Sequence, residues 1–471
     1  MKRIDCFIPF QDDRQVSGTL SNLSREAEIR QIVTVPESLK KTETLRQVAA
    51  RAEAEYTLIY TKFTDLNFGL FALERMLAIA DDTGAAMVYA DHFNESDGIR
   101  KEAPVIDYQL GSLRDDFDFG SVLLYRTSAL KEAVARMDVD YEFAALYDLR
   151  LKVSQKGALE HINEYLYYEI ETDNRKSGEK LFDYVDPKNR GVQIEMEKVV
   201  TRHLKDIGGY LEPVFKPVRF SDEPFEYEAS VVIPCKNRVQ TIADAIRSAL
   251  SQKTSFPYNV IVVDDNSDDG TVDEILKFKD DPRLIYVAQD KTYHAIGGNW
   301  NVALHHPKCG RFALQLDSDD MYYDENTVQK FVDAFYAQNC AMVVGTYQMT
   351  DFDLNPLPPY VVDHKEWTPE NGRNNALRVN GLGAPRGFYV PLLRTLKFPT
   401  TKYGEDYAVG LRVSREYQIG RIWDVMYSCR RWANNSDASL DIFKVNSNNL
   451  YKDRIRTWEL EARIALNREG V

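Results

Sequence analysis

The feature that most constrains this chain is an alternation of short apolar, β-branched runs with segments of helical spacing in its C-terminal half. Ser230 to Pro234 (SVVIP) is one such run, Thr241 to Gln252 carries helical spacing, and Asn259 to Val263 (NVIVV) is a second run. Strands that read as apolar throughout are buried on both faces, and two of them joined through a helix form a βαβ unit. Phe312 to Leu316 then reads as a strand, Asn326 to Asn339 as a helix and Ala341 to Thr346 as a strand. The expected fold class is α/β, with mainly parallel central sheets flanked by helices.

The N-terminal half repeats this order in weakened form. Ile4 to Pro9 (IDCFIP) stands where SVVIP stands later, Ile32 to Val35 matches the second strand, and Tyr56 to Thr61 (YTLIYT) matches Arg311 to Leu316 (RFALQL). Gly120 to Leu130 parallels Arg386 to Leu396, and Asp148 to Val153 parallels Gly410 to Ser414. Self-similarity of this kind reads as a tandem of two related domains, and a length of 471 residues suits two at roughly 150 or more residues each. The expected division is a first domain at 1–207, closed by an amphipathic helix from Gln193 to Lys205, and a second at 229–471. Between them Gly208 to Glu228, with two glycines and three prolines, reads as a linker. A last helix, Asp441 to Asn467, offers Tyr451, Ile455, Trp458, Leu460 and Ile464 for core packing or a homodimer contact.

Composition excludes several functions. A hydrophobic share of 44% with 28% charged residues is that of a folded chain, and a net charge of -14 argues against nucleic acid as the main partner, since phosphate binding needs a basic surface. Met1 to Phe10 has no apolar signal region and no stretch approaches the ~20 apolar residues of a membrane span, so the chain is expected to be cytoplasmic. Cys6, Cys235, Cys309, Cys340 and Cys429 are too widely spaced for a zinc site or a disulfide framework. His92, His161, His203, His305, His306 and His364 have no metal-ligand spacing either.

Three polar clusters follow predicted strands, where ligands bind in open α/β sheets. Pro234-Cys235-Lys236-Asn237-Arg238 follows the first and Asp264 to Thr271 (DDNSDDGT) the second, offering carboxylates and amides to a base and ribose. Asp317-Ser318-Asp319-Asp320 follows the strand at Phe312 to Leu316. Two carboxylates one residue apart suit a hard divalent cation on a diphosphate; the plainer reading is an acidic turn capping the next helix.

Taken in order, VVIPCKNR, VVDDNSDDGT, LDSDD and YGEDY, from about Glu228 to Asn435, resemble family 2 glycosyltransferases of the glycosyltransferase A fold. The resemblance implies two such domains in tandem, a nucleotide-diphosphate-sugar donor (most often a UDP-sugar), a Mn2+ or Mg2+ ion, and inversion at the anomeric carbon. It implies a glycan or glycoconjugate acceptor, with bacterial polysaccharide synthesis as the setting. It places Pro234, Asn237 and Arg238 beside the nucleotide, Asp265 at the base, Asp317 at the ribose with Ser318 also on the donor side, and Asp319 together with Asp317 at the metal. Asp264 is left to a structural role and Asp320 is an alternate ligand. Asn301, closing the stretch His294 to Asn301 (HAIGGNWN), matches the family's donor-side asparagine, although Trp300 departs from the basic residue often found before it. Asp406 of Tyr403-Gly404-Glu405-Asp406-Tyr407 matches the catalytic base, with Glu405 as the competing candidate. Where the family often carries a further histidine, this chain has Arg430-Arg431-Trp432-Ala433-Asn434.

Aligned with that half, the N-terminal half has Pro36 and Glu37 for Asp264 and Asp265, Lys62-Phe63-Thr64 for Asp317-Ser318-Asp319, and Ala144 for Asp406. It is therefore expected to be a degenerate, inactive copy. Two other enzyme classes fit poorly. A sugar-nucleotide pyrophosphorylase needs a Gly-rich loop after its first strand, where Pro234 to Asn237 has no glycine, and a Rossmann dehydrogenase needs G-x-G-x-x-G there. The non-enzymatic rival is a glycan-binding scaffold of two inactive copies, disfavoured because Asp265, Asp317, Asp319 and Asp406 fall in one half.

Overall fold

The computed structural model describes residues 2–10, 13–96, 98–173, 175–180, 183–289, 295–432, 435 and 439–469. The chain forms two compact units, Met1–Tyr210 with Ser439–Val471, and Leu211–Ala438. The first holds β1 (Ile4–Pro9), β2 (Ile29–Val35), β3 (Tyr56–Tyr60), β4 (Leu66–Phe68), β5 (Met87–Ser96), β6 (Ile99–Ala103), β7 (Val122–Arg126) and β8 (Leu159–Ile170). These make one sheet in the order β2-β1-β3-β7-β5-β8-β4, with β6 beside β5. The central strands β1, β3, β5 and β7 are buried on both faces: Phe7, Ile59, Tyr89 and Leu123 enter one apolar cluster, and Cys6, Leu58, Val88 and Leu124 enter the other.

The second unit holds β9 (Ala229–Cys235), β10 (Tyr258–Asp264), β11 (Leu284–Ala288), β12 (Phe312–Gln315), β13 (Met321–Tyr322), β14 (Met342–Thr350), β15 (Pro356–Val362), β16 (Arg386–Tyr389) and β17 (Ile419–Arg430). Its order is β11-β10-β9-β12-β16-β14-β17-β13, with β15 beside β14. The β11-β10-β9-β12 side is parallel throughout, as the apolar runs predict. Both sheets are nonetheless mixed rather than mainly parallel, because β7 and β16 run antiparallel to both neighbours. In the second unit the reason is the chain path. After β14 the chain stays at the edge where β9, β10 and β12 end, and β16 must start from that edge, bringing its first residue, Arg386, there.

Leaving aside β11, the two sheets follow one strand order with the same parallel and antiparallel pairings. The registers correct part of the sequence alignment. Pro9 pairs with Val35 as Pro234 pairs with Val263, so Pro36 and Glu37 do stand opposite Asp264 and Asp265. Tyr56 pairs with Ile4 as Phe312 pairs with Ala229, which places Thr61, Lys62 and Phe63, one residue earlier than aligned, at the positions of Asp317, Ser318 and Asp319. The helices Ala145–Ser154 and Glu405–Ser414 have equal length and precede β8 and β17 by equal intervals, so Leu146, not Ala144, stands at Asp406. Strand pairing fixes register directly, whereas apolar composition tolerates slips of a residue or two.

Two boundaries also differ from the sequence expectation. Most of the segment read as a linker is packed on the second unit: the Leu211 N–H donates to Asn374 Oδ1 at 3.0 Å, and Phe220 packs edge-on against Phe312, Tyr336 and Tyr389. The C-terminal helix, Ile442–Glu469, belongs to the first unit, not to the second. Its Asp453 is fully buried, accepts from Ser112 Oγ at 3.0 Å and pairs with Arg456 at 2.8 Å; Thr457 Oγ1 accepts from the Gly111 N–H at 3.0 Å. A buried polar face of this kind lacks the apolar stripe by which a helix is assigned to a core. A Cβ on Gly111 would fall 2.2 Å from the Thr457 nitrogen and 2.5 Å from the Arg456 carbonyl carbon, so the helix backbone sits directly on this glycine. Gly111→Ala is therefore expected to destabilise the protein by about 1–3 kcal/mol, the scale of overpacking. A thermal melt checks this, and an unchanged Tm would contradict it.

Candidate functional site

Loops after β9, β10 and β12 meet at one edge of the second sheet, and they are stitched by their own polar side chains. Asn237 and Asn266 both adopt left-handed backbone, φ 52° and 56°, which asparagine tolerates better than most residues. The Asn237 N–H donates to Ser267 Oγ at 2.8 Å, the Asp268 N–H to Asn237 Oδ1 at 3.0 Å, and the Arg238 N–H to Thr271 Oγ1 at 2.6 Å. Asp264 accepts from the Ser267 N–H at 3.1 Å, which gives it the structural role left to it. Asp265, at the same edge, is buried; its Oδ2 lies 3.4 Å from the Ala295 nitrogen and 3.7 Å from Lys236 Nζ.

Beyond β12 the carboxylates crowd together. Asp317 takes both of its oxygens to Gln315 Nε2, at 2.9 and 3.1 Å, while its N–H donates to Tyr427 Oη at 2.9 Å. Asp319 Oδ2 faces Arg238 Nε at 3.7 Å, Trp432 Nε1 at 3.4 Å and Asn435 Nδ2 at 3.3 Å. Asp320 is buried and accepts the Arg430 N–H at 2.7 Å, which joins it to β17 as a structural residue. Burial first, and then repulsion between these groups, raises the proton affinity of Asp317 and lifts that of Asp320 well above the carboxylate range. The carboxyl groups thus crowd closely enough here to hold protons more tightly than usual.

Asp406 lies in the first turn of the helix Glu405–Ser414. Its Oδ1 accepts the Tyr407 N–H at 2.6 Å, and its Oδ2 pairs with Arg386 Nη2 at 2.5 Å. The side chain of Arg386 is 7% exposed; its Nη1 donates to Gln315 Oε1 at 2.9 Å and its Nε to the Leu382 carbonyl at 2.5 Å. An unbroken path therefore runs Asp406, Arg386, Gln315, Asp317. Beside it Glu405 is buried, and burial followed by the Asp406 charge pushes its carboxyl up to about 8. It is the less suitable of the two as a base at neutral pH, because it already holds a proton.

Of the residues expected at the site, Arg238, Asp317, Asp319 and Asp406 come together, with Asp265 at the end of β10 and Ser318 buried between the aspartates. Pro234 is different: it is a buried residue of β9. Asn237 spends its carbonyl oxygen on the neighbouring loop. Asn301 is not aimed at a ligand either. Its Nδ2 donates to the Phe398 carbonyl at 2.8 Å and its Oδ1 accepts the Phe398 N–H at 2.9 Å. In the same helix a Cβ on Gly297 would meet the Pro399 oxygen at 1.9 Å, so the helix Ile296–His305 braces the segment that leads into Glu405 and Asp406. Arg430 is 2% exposed and holds the Asp319 carbonyl at 2.6 Å and Asp244 at 3.1 Å, which leaves it to structure. His294, Ala433 and Asn434 lie outside the described residues. Sequence reasoning missed Gln315 and Arg386; the available signal was a polar residue inside or opening an otherwise apolar strand.

In the first unit the equivalent edge carries Lys62 and the fully buried Glu169, paired at 2.5 Å, with the Ser121 hydroxyl also on Glu169 and His92 stacked on Tyr167 at 5.0 Å. A fixed ion pair stands there in place of the aspartate pair.

Residues 230–388 match the model of Glycosyl transferase family 2. The chain is 27% identical over 238 residues, half of this chain and 85% of the relative, to the UDP-Glc:alpha-D-GlcNAc-diphosphoundecaprenol beta-1,3-glucosyltransferase WfgD of Escherichia coli. It is 28% identical over 149 residues, 31% of this chain and 58% of the relative, to the putative teichuronic acid biosynthesis glycosyltransferase TuaG of Bacillus subtilis (strain 168). Among solved structures, S. aureus TarS 1-349 in complex with UDP-GlcNAc is similar at 21% identity over 50% of this chain and 72% of that chain, with a TM-score of 0.39.

The raised carboxyl of Glu405 has a checkable consequence. Between the ordinary value of 4.5 and about 8 the folded protein keeps a proton that the unfolded chain has released, so this group's contribution to stability falls as pH rises through that window. Glu405→Gln removes the effect. The Tm of the variant minus that of the parent is expected to grow from pH 5 to pH 8.5, by roughly 5 °C or more; a constant difference would contradict the assignment.

Proposed function

With residues 230–388 forming a family 2 glycosyltransferase domain, and the chain accordingly a glycosyltransferase, we propose that the second unit moves a sugar from a nucleotide-diphosphate donor to an acceptor hydroxyl with inversion, and depends on a divalent metal ion. The observation that carries this reading is the convergence of Asp317, Asp319 and Asp406 at the edge where β9, β10 and β12 end. UDP is the proposed nucleotide and a glycan or glycoconjugate of a bacterial polysaccharide the proposed acceptor, in line with the names of WfgD and TuaG.

The donor set fits a hard cation. No cluster of three or more ligating side chains occurs among the described residues, but magnesium is commonly held by one or two carboxylates together with substrate phosphates. Asp319 and Asp317 supply such a pair, and their crowding is what a positive charge relieves. A bound Mn2+ or Mg2+ would supply charge for the leaving diphosphate as a Lewis acid. The remaining work falls to side chains. Asp265 and the stitched loops after β9 and β10 hold the nucleoside, and Arg238 stands beside Asp319 with a charge that suits a phosphate. Asp406, held by Arg386, takes the acceptor proton as the hydroxyl oxygen attacks the sugar carbon, so a single base suffices for one displacement with inversion. The first unit, with Thr61, Phe63 and Leu146 at the corresponding positions, is proposed to be non-catalytic.

Calorimetric titration of UDP, GDP and dTDP with and without Mn2+ tests the donor reading. One nucleotide is expected to bind only with Mn2+, and Asp319→Ala to weaken that binding by about tenfold or more, the scale of a lost ion contact. Binding of none of the three, or binding indifferent to Mn2+, would contradict it. Asp406→Asn is expected to keep nucleotide affinity while turnover falls by about 10²- to 10⁴-fold, the range for loss of a general base.

A further inference from the structure

The geometry assigns Arg386 and Gln315 as positioning residues, a single hydrogen-bonded frame that holds the base carboxylate and the first aspartate of the donor pair in fixed relation. This rests on the reading of Asp406 as base and Asp317 as donor-side ligand. Arg386 uses its three nitrogens in three directions: Nε to the Leu382 carbonyl, Nη1 to Gln315, and Nη2 to Asp406. The first of these anchors the guanidinium to the main chain, so its other two donors are fixed in a plane that lysine cannot reproduce. Gln315 relays the frame, accepting from Arg386 through Oε1 and donating through Nε2 to both oxygens of Asp317. An amide is required for this, since only it presents an acceptor and a donor on one planar group.

The molecule contains its own comparison. Leu314 pairs with Gly387 in the second sheet, which puts Gln315 opposite Arg386; in the first sheet the same register position is the pair Ile59 and Leu123. The unit that has Thr61, Phe63 and Leu146 in place of Asp317, Asp319 and Asp406 thus has two apolar side chains in place of the frame, both buried in one cluster. A guanidinium there serving only to stabilise a mixed sheet would be as useful in one unit as in the other. The titratable groups around Asp406 include Glu405, Arg386 and Asp317. Arg386 is thus the cation that orients the base among acids, while the remaining lone pairs of Asp406, which is 26% exposed, are left for the acceptor hydroxyl.

The test compares parent, Arg386→Lys, Gln315→Leu, Asp406→Asn and the double variant Arg386→Lys/Asp406→Asn. UDP release is followed from UDP-glucose, UDP-galactose and UDP-N-acetylglucosamine with Mn2+, alongside UDP affinity and thermal melts. Arg386→Lys is expected to lower kcat by about 100-fold, the cost of a misplaced catalytic group, with UDP affinity within about threefold of the parent. The double variant should be little worse than Asp406→Asn alone, because the arginine acts through that carboxylate. Gln315→Leu should weaken Mn2+-dependent UDP binding as well, since Asp317 loses both of its side-chain hydrogen bonds. A folded Arg386→Lys with parental kcat, or losses that multiply in the double variant, would overturn the positioning role while leaving the transferase reading intact. A parent that releases UDP from none of the three donors would take down both.

Discussion

Like-charge crowding is the constraint on which the second unit is built. Asp317, Asp319, Asp320, Glu405 and Asp406 gather at one sheet edge, and the fold meets the cost unevenly. Asp320 is fixed by the Arg430 main chain and Glu405 takes up a proton, so each is accommodated without a counter-ion. Asp406 is given a buried guanidinium at 2.5 Å, and Asp319 three donors at 3.3 to 3.7 Å. Burying this much like charge opposes folding unless it is paired. On the proposed function, retaining it serves a cleft that holds a diphosphate through a cation and deprotonates an alcohol.

The supporting structure follows from that need. Antiparallel β16 starts at the site edge and places Arg386 there. The helix Ile296–His305 is pressed on Pro399 by a glycine and clasps Phe398 through Asn301, so the turn before Asp406 is held from two sides. Trp300, stacked on Phe398 at 5.1 Å, fills the same junction. At Trp300, where the chain departs from the family pattern, the side chain thus packs on the segment that leads into Glu405 and Asp406.

Much of this was legible in the sequence, for physical reasons that differ by element. The parallel strands β9, β10 and β12 are buried throughout and mostly apolar because helices cover both faces, and such runs announce themselves; acidic clusters directly after them mark the edge proposed to hold the ligand. The antiparallel β16 is only four residues long, too short to announce itself as a strand. Asn301 carried a family motif yet serves the backbone, because residue type and spacing do not say which atoms a side-chain amide meets. The C-terminal helix was attached to the wrong unit since its buried face is polar: Asp453, Arg456, Glu459 and Arg463 neutralise one another where an apolar stripe would ordinarily mark the core side. Strand order, by contrast, is common to both units although the first has Thr61, Phe63 and Leu146 where the second has Asp317, Asp319 and Asp406, as expected when fold is set by buried pattern and function by a few side chains at an edge.

The most direct test of the central claim is an anomalous-difference map from crystals of the full chain grown with UDP and Mn2+. The account predicts one manganese peak beside Asp319 and Asp317, bridged to the diphosphate of a nucleotide lying across the loops after β9 and β10, with none at Lys62 and Glu169. Nucleotide bound without manganese at the aspartates, or seated on the first unit, would contradict it.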